Sequence, residues 1–358
     1  MIPFFDLYQQ YLETKDAIDS SIAKVIASSK FLTGEMTEQF EDGIKNYAGA
    51  EACAAVGSGT DALVCSLMAC GVGIGDEVIT TPHTFISTSE AIVLVGAKPI
   101  YVDVDEYYHL DINKIEEKIN KNTKAILFVD IYGQTPDVDK LRHIADKHSL
   151  YLIEDAAQSF GASYKNKKVG SLASDLTCMS FNPLKNLGSF GNAGAITGKK
   201  DLVALAKKHS DHGRDGRYDY QRIGINGRID NIQAAVVLCK LQKLDEWLEK
   251  KRQICFSYNE VLKDKFIVPK EVPWGTHSFY VYALQVNERD KFISYMKENG
   301  VECNIHYPKS LTEQSFYSGQ KCLNSESVCG RIVSLPCYHN LTKQNQEKII
   351  ELTLNWSL

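Results

Sequence analysis

The feature that most constrains the fold is an alternation of short apolar segments with amphipathic helical segments, which begins near residue 50. Near-continuous apolar residues, as at Ala125–Val129, are typical of strands that are covered on both faces. Between the early apolar segments lie helical patterns at Asp61–Ala69, Ser87–Val95 and Val138–His148. This alternation predicts βαβ units and a mainly parallel sheet. The predicted strands are Ala52–Val56, Glu77–Thr80, Pro99–Val102, Lys124–Asp130, Tyr151–Asp155, Leu176–Phe181 and Gly194–Thr197.

Helical patterns flank this alternation at residues 8–29, 36–48 and 230–262, and the character of the chain changes after the last of them. The later segments predict strands at Ser278–Val286 and Val301–Ile305, and helices at Asp290–Asn299 and Gln344–Trp356. We therefore expect a large α/β domain at residues 1–250 and a smaller α+β domain at residues 251–358.

Composition excludes several classes of function. The 358 residues include 40 Lys and Arg against 45 Asp and Glu, so no basic excess is present to bind nucleic acid. No apolar segment approaches the ~20 residues of a membrane-spanning helix. The ten cysteines form no Cys-x-x-Cys pair, which favours reduced thiols and disfavours a metal site. The segment Met1–Asp6 lacks the pattern of a signal peptide, and we expect a cytoplasmic protein.

A glycine-rich turn lies between the first predicted strand and the following helix, in the segment Val56–Leu63. Such a turn exposes backbone N–H groups at the positive end of a helix dipole, which favours phosphate binding. It matches neither the dinucleotide fingerprint nor the P-loop. A plain turn whose Ser58 or Thr60 caps the helix remains the alternative.

Two acidic residues, Glu154 and Asp155, end a very apolar predicted strand. Ligands of parallel sheets bind at the carboxyl ends of the strands. A carboxylate at this position could hold a cation or a protonated ring nitrogen, and a solvated strand end is the alternative.

A lone lysine, Lys185, follows the predicted strand at Leu176–Phe181 and lies between Pro183 and Gly188. A lysine that is removed from water has a lowered pKa and is the usual Schiff-base nucleophile. A solvated surface lysine is the alternative, and it is the commonest fate of a lysine in such a chain.

The order of these three features is more specific than any one of them. A phosphate-binding turn, then Asp155, then Lys185 suits a ring that carries a phosphate, a protonated nitrogen and an aldehyde. Pyridoxal 5'-phosphate is such a ring, and its chemistry requires a lysine for the aldehyde and a carboxylate for the ring nitrogen. The sequence therefore predicts pyridoxal 5'-phosphate as the cofactor, with Lys185 and Asp155 as catalytic residues.

Motifs along almost the whole chain resemble those of the DegT/DnrJ/EryC1/StrS family of pyridoxal-phosphate-dependent nucleotide-sugar aminotransferases. The chain departs from the family pattern at Gly191–Gly194, where relatives commonly carry an acid, and at Lys309–Leu311. The segments that carry the resemblance are Ile2–Leu7, Phe31–Glu35, Gly57–Leu63, Thr84–Thr88, Tyr132–Gln134, Glu154–Gln158, Ser180–Gly188, Gly224–Ala235, His306–Pro308 and Ser334–Pro336.

The resemblance implies the fold of aspartate aminotransferase (pyridoxal-phosphate fold type I), with a mainly parallel seven-stranded sheet in the large domain. It also implies a homodimer whose subunits share two active sites, with Asn226 reaching the partner's cofactor phosphate. Arg228, His306 and Tyr307 would lie near the substrate, although a structural His-Tyr turn explains the last two equally well. The implied cofactor-binding residues are Gly59, Thr60, Phe85, Asp155, Ala157, Gln158, Ser180, Lys185 and Asn226.

The activity implied by the resemblance is transfer of an amino group from an amino acid, L-glutamate, to a keto group of a nucleotide-linked deoxysugar. The segment His306–Pro308 is more similar to relatives that aminate carbon 3 than to those that aminate carbon 4. Sugar dehydratases of the family carry histidine in place of the Schiff-base lysine, and Lys185 argues against that activity. A non-catalytic binding or regulatory protein remains the other alternative, against which Asp155, Gln158 and Lys185 argue.

Overall fold

The computed structural model describes residues 1–317 and 319–357. Its helices pack around one large sheet and two smaller sheets. The strands are β1 (Ala52–Val56), β2 (Glu77–Thr80), β3 (Lys98–Tyr101), β4 (Thr123–Val129), β5 (Tyr151–Asp155), β6 (Ser163–Tyr164), β7 (Lys167–Lys168), β8 (Leu176–Ser180), β9 (Gly194–Gly198), β10 (Gly275–Thr276), β11 (Tyr282–Gln285) and β12 (Ile332–Leu335).

The α-helices lie before, between and after these strands. Short 3₁₀ turns lie at Ile112–Lys114, Glu116–Lys118, Ile131–Gly133 and Leu311–Glu313. The helices are α1 (Leu7–Leu12), α2 (Lys15–Ser28), α3 (Glu35–Ala48), α4 (Gly59–Ala69), α5 (Ser87–Leu94), α6 (Val138–Lys147), α7 (Lys200–Ser210), α8 (Asn231–Leu241), α9 (Leu244–Leu262), α10 (Arg289–Glu298), α11 (Leu323–Cys329) and α12 (Lys343–Asn355).

The large sheet has seven strands in the order β1-β9-β8-β5-β4-β2-β3. Strand β9 runs antiparallel to both of its neighbours, β1 and β8, and the other neighbouring pairs are parallel. Six strands therefore point in the same direction, and their carboxyl ends lie along one edge. The predicted mainly parallel seven-stranded sheet is confirmed.

Alternate side chains of β4 show why its sequence is apolar throughout. Leu127 and Val129 belong to one hydrophobic cluster, whereas Ile126 and Phe128 belong to another on the opposite face. Because neighbouring residues of a strand point to opposite faces, both sides of β4 are covered.

A separate hydrophobic cluster is formed by the C-terminal elements α9, β11, β12, α10 and α12. The start of α9 packs elsewhere, since Leu244 and Leu248 belong to the cluster around Phe40, Phe160 and Phe181. One helix therefore contributes to two cores. The predicted domain boundary at residue 250 lies inside α9 and stays a prediction.

Some predicted elements differ from the structure. The predicted helix at residues 230–262 is two helices, α8 and α9, and the one at residues 8–29 is also two, α1 and α2. Leu241 and Leu244 are buried on both sides of the first break, so the hydrophobic pattern continues through it. The predicted strand at Val301–Ile305 makes only isolated bridges, from Val301 to Ile2 and from Asn304 to Ser334.

Within residues 1–317 and 319–357, no helix combines the length and hydrophobicity that crossing a lipid bilayer requires.

The cluster around Phe40 predicts a large loss of stability on truncation. Phe40 is fully buried and contacts Phe181 edge to face, with 5.6 Å between ring centroids. We expect Phe40→Ala to lower the free energy of unfolding by about 3–5 kcal/mol, because transfer and cavity costs add. The change is measured by urea unfolding at fixed protein concentration.

The matched control is Phe316→Ala, since Phe316 is 75% exposed. It should change the free energy of unfolding by no more than about 0.5 kcal/mol. A cost below about 1 kcal/mol for Phe40→Ala would contradict the packing described here.

Candidate active site

The carboxyl edge of the large sheet opens into a cavity of about 410 Å³. Residues that follow β1, β2, β5 and β8 line it, together with residues from the C-terminal part of the chain. The structure brings ten of the twelve predicted site residues together in this cavity: Gly59, Thr60, Phe85, Asp155, Ala157, Gln158, Ser180, Lys185, His306 and Tyr307.

The turn after β1 forms one end of the cavity. Ser58 caps α4, since its Oγ accepts a hydrogen bond from the Asp61 N–H at 3.0 Å. A side chain at position 59 would not fit, because a Cβ on Gly59 would lie 2.7 Å from the Ser180 Cβ. The Thr60 hydroxyl lies 2.8 Å from the Ser87 hydroxyl. The turn therefore caps α4 through Ser58, and the Thr60 and Ser87 hydroxyls lie beside the positive end of the helix dipole, an arrangement that suits an anion.

Asp155 ends β5 and is buried. Its Oδ2 accepts a hydrogen bond from the Thr88 hydroxyl at 2.7 Å, and its Oδ1 accepts one from the Ala157 N–H at 3.2 Å. Burial raises the pKa of this carboxyl, and those two hydrogen bonds and the Lys185 charge oppose the rise. The carboxylate is thus held in one orientation with a capacity for a further donor, such as a protonated ring nitrogen.

Lys185 lies in the turn after β8. The backbone N–H of Lys185 donates to the Asn182 carbonyl at 2.9 Å. Its Nζ lies 4.2 Å from the centroid of the Tyr280 ring. Burial lowers the pKa of the amine to about 8, and the Asp155 charge opposes this. The residue as a whole is half-buried because it faces the cavity. A lysine in these surroundings holds more neutral, nucleophilic amine at neutral pH than a solvated one.

The side chain of Gln158 is fixed from two directions. Its Nε2 donates to the Tyr307 hydroxyl at 3.2 Å, and its Oε1 accepts from the Tyr132 N–H at 2.8 Å. The Phe85 ring lies 5.7 Å from that of Tyr307 and is 51% exposed. An aromatic face therefore remains open to a flat ligand above the cavity floor.

His306 is buried at the C-terminal side of the cavity. Its Nδ1 lies 3.0 Å from the Ser334 hydroxyl, and its carbonyl accepts a hydrogen bond from the Tyr132 hydroxyl. Burial, together with the Lys185 charge, lowers the pKa of His306 to about 4. The imidazole is therefore neutral at physiological pH and acts as a hydrogen-bonding group.

The remaining two predicted residues, Asn226 and Arg228, do not line the cavity. Arg228 Nη2 donates to Asn226 Oδ1 at 3.4 Å, and Arg228 Nε lies 3.4 Å from Asp211 Oδ1. Their loop passes behind the phosphate turn, where the Gly227 carbonyl accepts from the Gly57 N–H at 2.7 Å. Their predicted roles depend on a second subunit and stay predictions.

Sequence reasoning missed Thr88 and Tyr280 as site residues. Thr88 lies within the segment Thr84–Thr88 that carries the family resemblance, and its spacing of four residues from Thr84 was an available signal. The Thr84 and Thr88 hydroxyls lie 2.8 Å apart, and the Thr88 hydroxyl donates to Asp155, so the three side chains form one chain of hydrogen bonds. Tyr280 lies 95 positions from Lys185 and carries no local signal.

A slightly larger cleft, about 460 Å³, lies between Asp105, Lys270 and Arg331. Its lysine, Lys270, is exposed and ion-paired with Glu106 at 2.9 Å, so the cleft lacks a desolvated amine. The smaller cavity is the candidate active site, because it combines a desolvated amine, a buried carboxylate and a turn at a helix N-terminus.

These groups fit pyridoxal 5'-phosphate. The anion-binding turn suits the phosphate, the buried Asp155 suits the ring nitrogen, and the desolvated Lys185 amine suits the aldehyde. Because Gly59 has no Cβ, the turn can lie close to Ser180, whose hydroxyl also lines the cavity.

The pKa of Lys185 gives a direct prediction for the cofactor-free protein. Amines react with acylating reagents only when deprotonated, so labelling of Lys185 should rise with pH and be half-maximal at about pH 8. Asp155→Asn removes a negative charge that raises this pKa, so the midpoint should move to lower pH. Labelling is measured by mass spectrometry, with the exposed Lys343 as the internal reference.

A midpoint for Lys185 near the ordinary value of 10.5 would contradict the desolvated amine. An upward shift in Asp155→Asn would contradict the electrostatic coupling of the two groups.

Comparison with known proteins agrees with this geometry. The DegT/DnrJ/EryC1/StrS aminotransferase family matches residues 13–353. The chain is 38% identical to a UDP-2-acetamido-2-deoxy-3-oxo-D-glucuronate aminotransferase from Pseudomonas aeruginosa. That match covers 94% of this chain and 95% of the relative.

Solved structures show the same fold. The S. venezuelae protein DesV, in complex with a ketimine intermediate, superposes with a TM-score of 0.96 at 32% identity, over 99% of this chain and 98% of that one. NtdA from Bacillus subtilis, with bound cofactor PMP, gives 0.88 at 29% identity, over 96% and 81%. The predicted fold, aminotransferase activity and pyridoxal-phosphate cofactor are confirmed. The chain belongs to the DegT/DnrJ/EryC1/StrS aminotransferase family.

Proposed function

We propose that this aminotransferase moves an amino group from L-glutamate to the C-3 keto group of a nucleotide-linked deoxysugar. The observation that carries the proposal is that a desolvated Lys185 amine and a buried Asp155 carboxylate line the same cavity. We further propose that the enzyme is a cytoplasmic homodimer with shared active sites.

When bound, pyridoxal 5'-phosphate supplies an aldehyde that accepts the amino group and a conjugated ring that withdraws electrons. Lys185 would hold the aldehyde carbon through Nζ until the amino donor displaces it. The freed Nζ would then take the proton from the donor Cα and return it to the cofactor carbon. A pKa of about 8 suits this work, because such an amine both accepts and releases a proton near neutral pH.

Asp155 would accept a hydrogen bond from the ring nitrogen and keep it protonated. Its hydrogen bonds from Thr88 and Ala157 fix the direction of the carboxylate. Gln158 would hydrogen-bond the ring hydroxyl, and its contacts with Tyr307 and Tyr132 fix its amide. These contacts hold the acceptor and donor groups in place before the ring arrives.

The remaining cofactor contacts follow from position around the cavity. Gly59, Thr60 and Ser180 would bind the phosphate at the start of α4. Phe85 would cover one face of the ring and Ala157 the other, so that water is excluded from the reacting carbon.

The sugar would bind on the side of His306 and Tyr307. Ser334 engages Nδ1 of the neutral His306, which leaves Nε2 for a sugar hydroxyl. Arg228 would interact with the anionic part of the substrate in the partner's site, as the family resemblance implies.

The C-3 position is supported by the segment His306–Pro308 and by the 3-oxo substrate in the name of the Pseudomonas aeruginosa relative. Amination at C-4 is the competing activity. A non-catalytic role is disfavoured, because a binding protein has no need of a desolvated lysine opposite a buried carboxylate.

The proposed activity is tested with a panel of 3-keto and 4-keto sugar nucleotides and L-glutamate. We expect an amino sugar whose new amine is at C-3, identified by mass spectrometry and NMR. Lys185→Ala should lower the turnover number by at least about 10²–10⁴-fold, because it removes the proton-transferring amine. Borohydride reduction of the wild-type holoenzyme should label Lys185.

Amination at C-4 would overturn the proposed position. Near-normal turnover by Lys185→Ala, or borohydride labelling of a different lysine, would overturn the assignment of Lys185.

The proposed shared site is tested by subunit exchange between two inactive homodimers, Lys185→Ala and Asn226→Ala. A heterodimer has one site with both residues intact and one site that lacks both. We expect mixing to restore up to about half of the wild-type activity per heterodimer, since one of two sites is complete. Activity is assayed after heterodimers have been quantified by native mass spectrometry.

No recovery in a sample that contains heterodimers would place Asn226 in its own subunit's site. It would also remove the argument for an obligate dimer.

A further inference from the structure

Lys251 is an unusual residue in the middle of α9, because its ammonium group is buried. The residue is 7% exposed, and its Nζ donates to Asn186 Oδ1 at 3.0 Å and to the Tyr280 carbonyl at 3.0 Å. Across residues 1–317 and 319–357, no carboxylate oxygen lies within 4.0 Å of it. A buried charge destabilises the folded protein unless it is hydrogen-bonded, so these two acceptors stabilise the buried ammonium group.

Both acceptors of Lys251 belong to residues that contact or adjoin Lys185. Asn186 follows Lys185 in the chain, and the Tyr280 ring lies 4.2 Å from the Lys185 Nζ. Asn186 also donates through Nδ2 to the Ser278 carbonyl at 3.1 Å. One ammonium group therefore joins the turn that carries Lys185 to the segment that covers its amine.

The space around these groups is small. Lys185, Asn186 and Lys251 line one cavity of about 40 Å³, which shares Leu184 and Lys185 with the lining of the candidate active-site cavity. Loss of the ammonium group would leave the Asn186 side chain and the Tyr280 carbonyl without this shared donor.

A second buried lysine, Lys240, provides a comparison. It is 1% exposed and donates to the Gly188 carbonyl at 2.8 Å and to Gln10 Oε1 at 2.9 Å. It holds the far end of the same turn, but it contacts neither Asn186 nor Tyr280. The contacts of Lys240 stabilise the turn that carries Lys185, but they do not link that turn to Tyr280, whose ring covers the Lys185 amine.

We propose that Lys251 is a positioning residue for Lys185, which it aligns by joining Asn186 to the Tyr280 backbone. The proposal rests on the proposed function, because it assumes that Lys185 holds the cofactor. It goes further by naming a residue outside the main cavity that sets the position of the reacting amine.

The test compares wild type with Lys251→Met, Lys251→Arg and Asn186→Ala. Lys251→Met should lower kcat about tenfold with KM within about twofold, because the amine is misaligned while substrate contacts remain. It should also weaken the visible circular-dichroism band of the bound cofactor at least about twofold, since that band reports a fixed orientation of the chromophore. Lys251→Arg should recover most of both signals, because it keeps a charged donor.

A readout that needs no turnover comes from the cofactor-free protein. The rate at which added pyridoxal 5'-phosphate forms its imine absorbance should fall about fivefold in Lys251→Met, because the amine is no longer held in line. Asn186→Ala keeps the contact of Lys251 with Tyr280 but cuts the link to the turn. It should reproduce these effects, and it serves as the test if Lys251→Met does not fold.

Two controls separate positioning from stability and from charge. Lys240→Met removes a buried ammonium from the same turn, and it should lower the melting temperature while keeping the circular-dichroism band. Lys250→Met removes the neighbouring charge of α9, which is exposed and paired with Glu246 at 2.8 Å, and it should change neither.

The proposal is overturned if Lys251→Met and Lys240→Met behave alike, with lowered stability and an unchanged circular-dichroism band and imine rate. It is also overturned if Asn186→Ala leaves all three signals at wild-type values. Failure of the underlying function is recognised separately, because borohydride would then fail to label Lys185 in the wild-type protein.

Discussion

The proposed chemistry depends on a Lys185 amine that is kept out of water in the same cavity as the buried Asp155 carboxylate. Desolvation alone would favour the neutral forms of both groups, whereas their mutual attraction favours the charged forms. Burial lowers the pKa of Lys185 to about 8 and raises the pKa of Asp155, and the attraction between the two charges opposes both shifts. The hydrogen bond from Thr88 matters for this balance, because it stabilises the charged carboxylate without adding a second charge.

The sheet topology makes this balance possible. Since β9 is antiparallel to both neighbours, β1 and β8 run in the same direction and end at the same edge as β5. The glycine-rich turn follows β1, Asp155 ends β5, and the turn that carries Lys185 follows β8. All three therefore lie at the same edge of the sheet. The sequence order of the motifs becomes an arrangement around one cavity only through this strand order.

The seven strands of the large sheet were predictable because each is a short segment with apolar residues at its centre and lies between helical patterns or turns. The sequence also placed Gly59, Asp155 and Lys185 near strand ends, and the structure brings these three residues together in one cavity. Breaks inside helical patterns were not predictable, because Leu241 and Leu244 stay buried across the break. Tyr280 and Lys251 were also missed, because their contacts with the Lys185 turn join residues that are distant in the chain and show no periodic pattern.

Tyr132 shows why both parts of the chain are needed for one site. Its N–H donates to Gln158, which belongs to the large sheet region, and its hydroxyl donates to the His306 carbonyl of the C-terminal region. Its backbone has a φ of 63°, a left-handed conformation that costs a bulky residue ~1–3 kcal/mol. The two hydrogen bonds offset that cost, because each contributes about 0.5–1.5 kcal/mol to stability. Tyr132 therefore connects Gln158 and His306, two residues that line the candidate cavity and lie far apart in the chain.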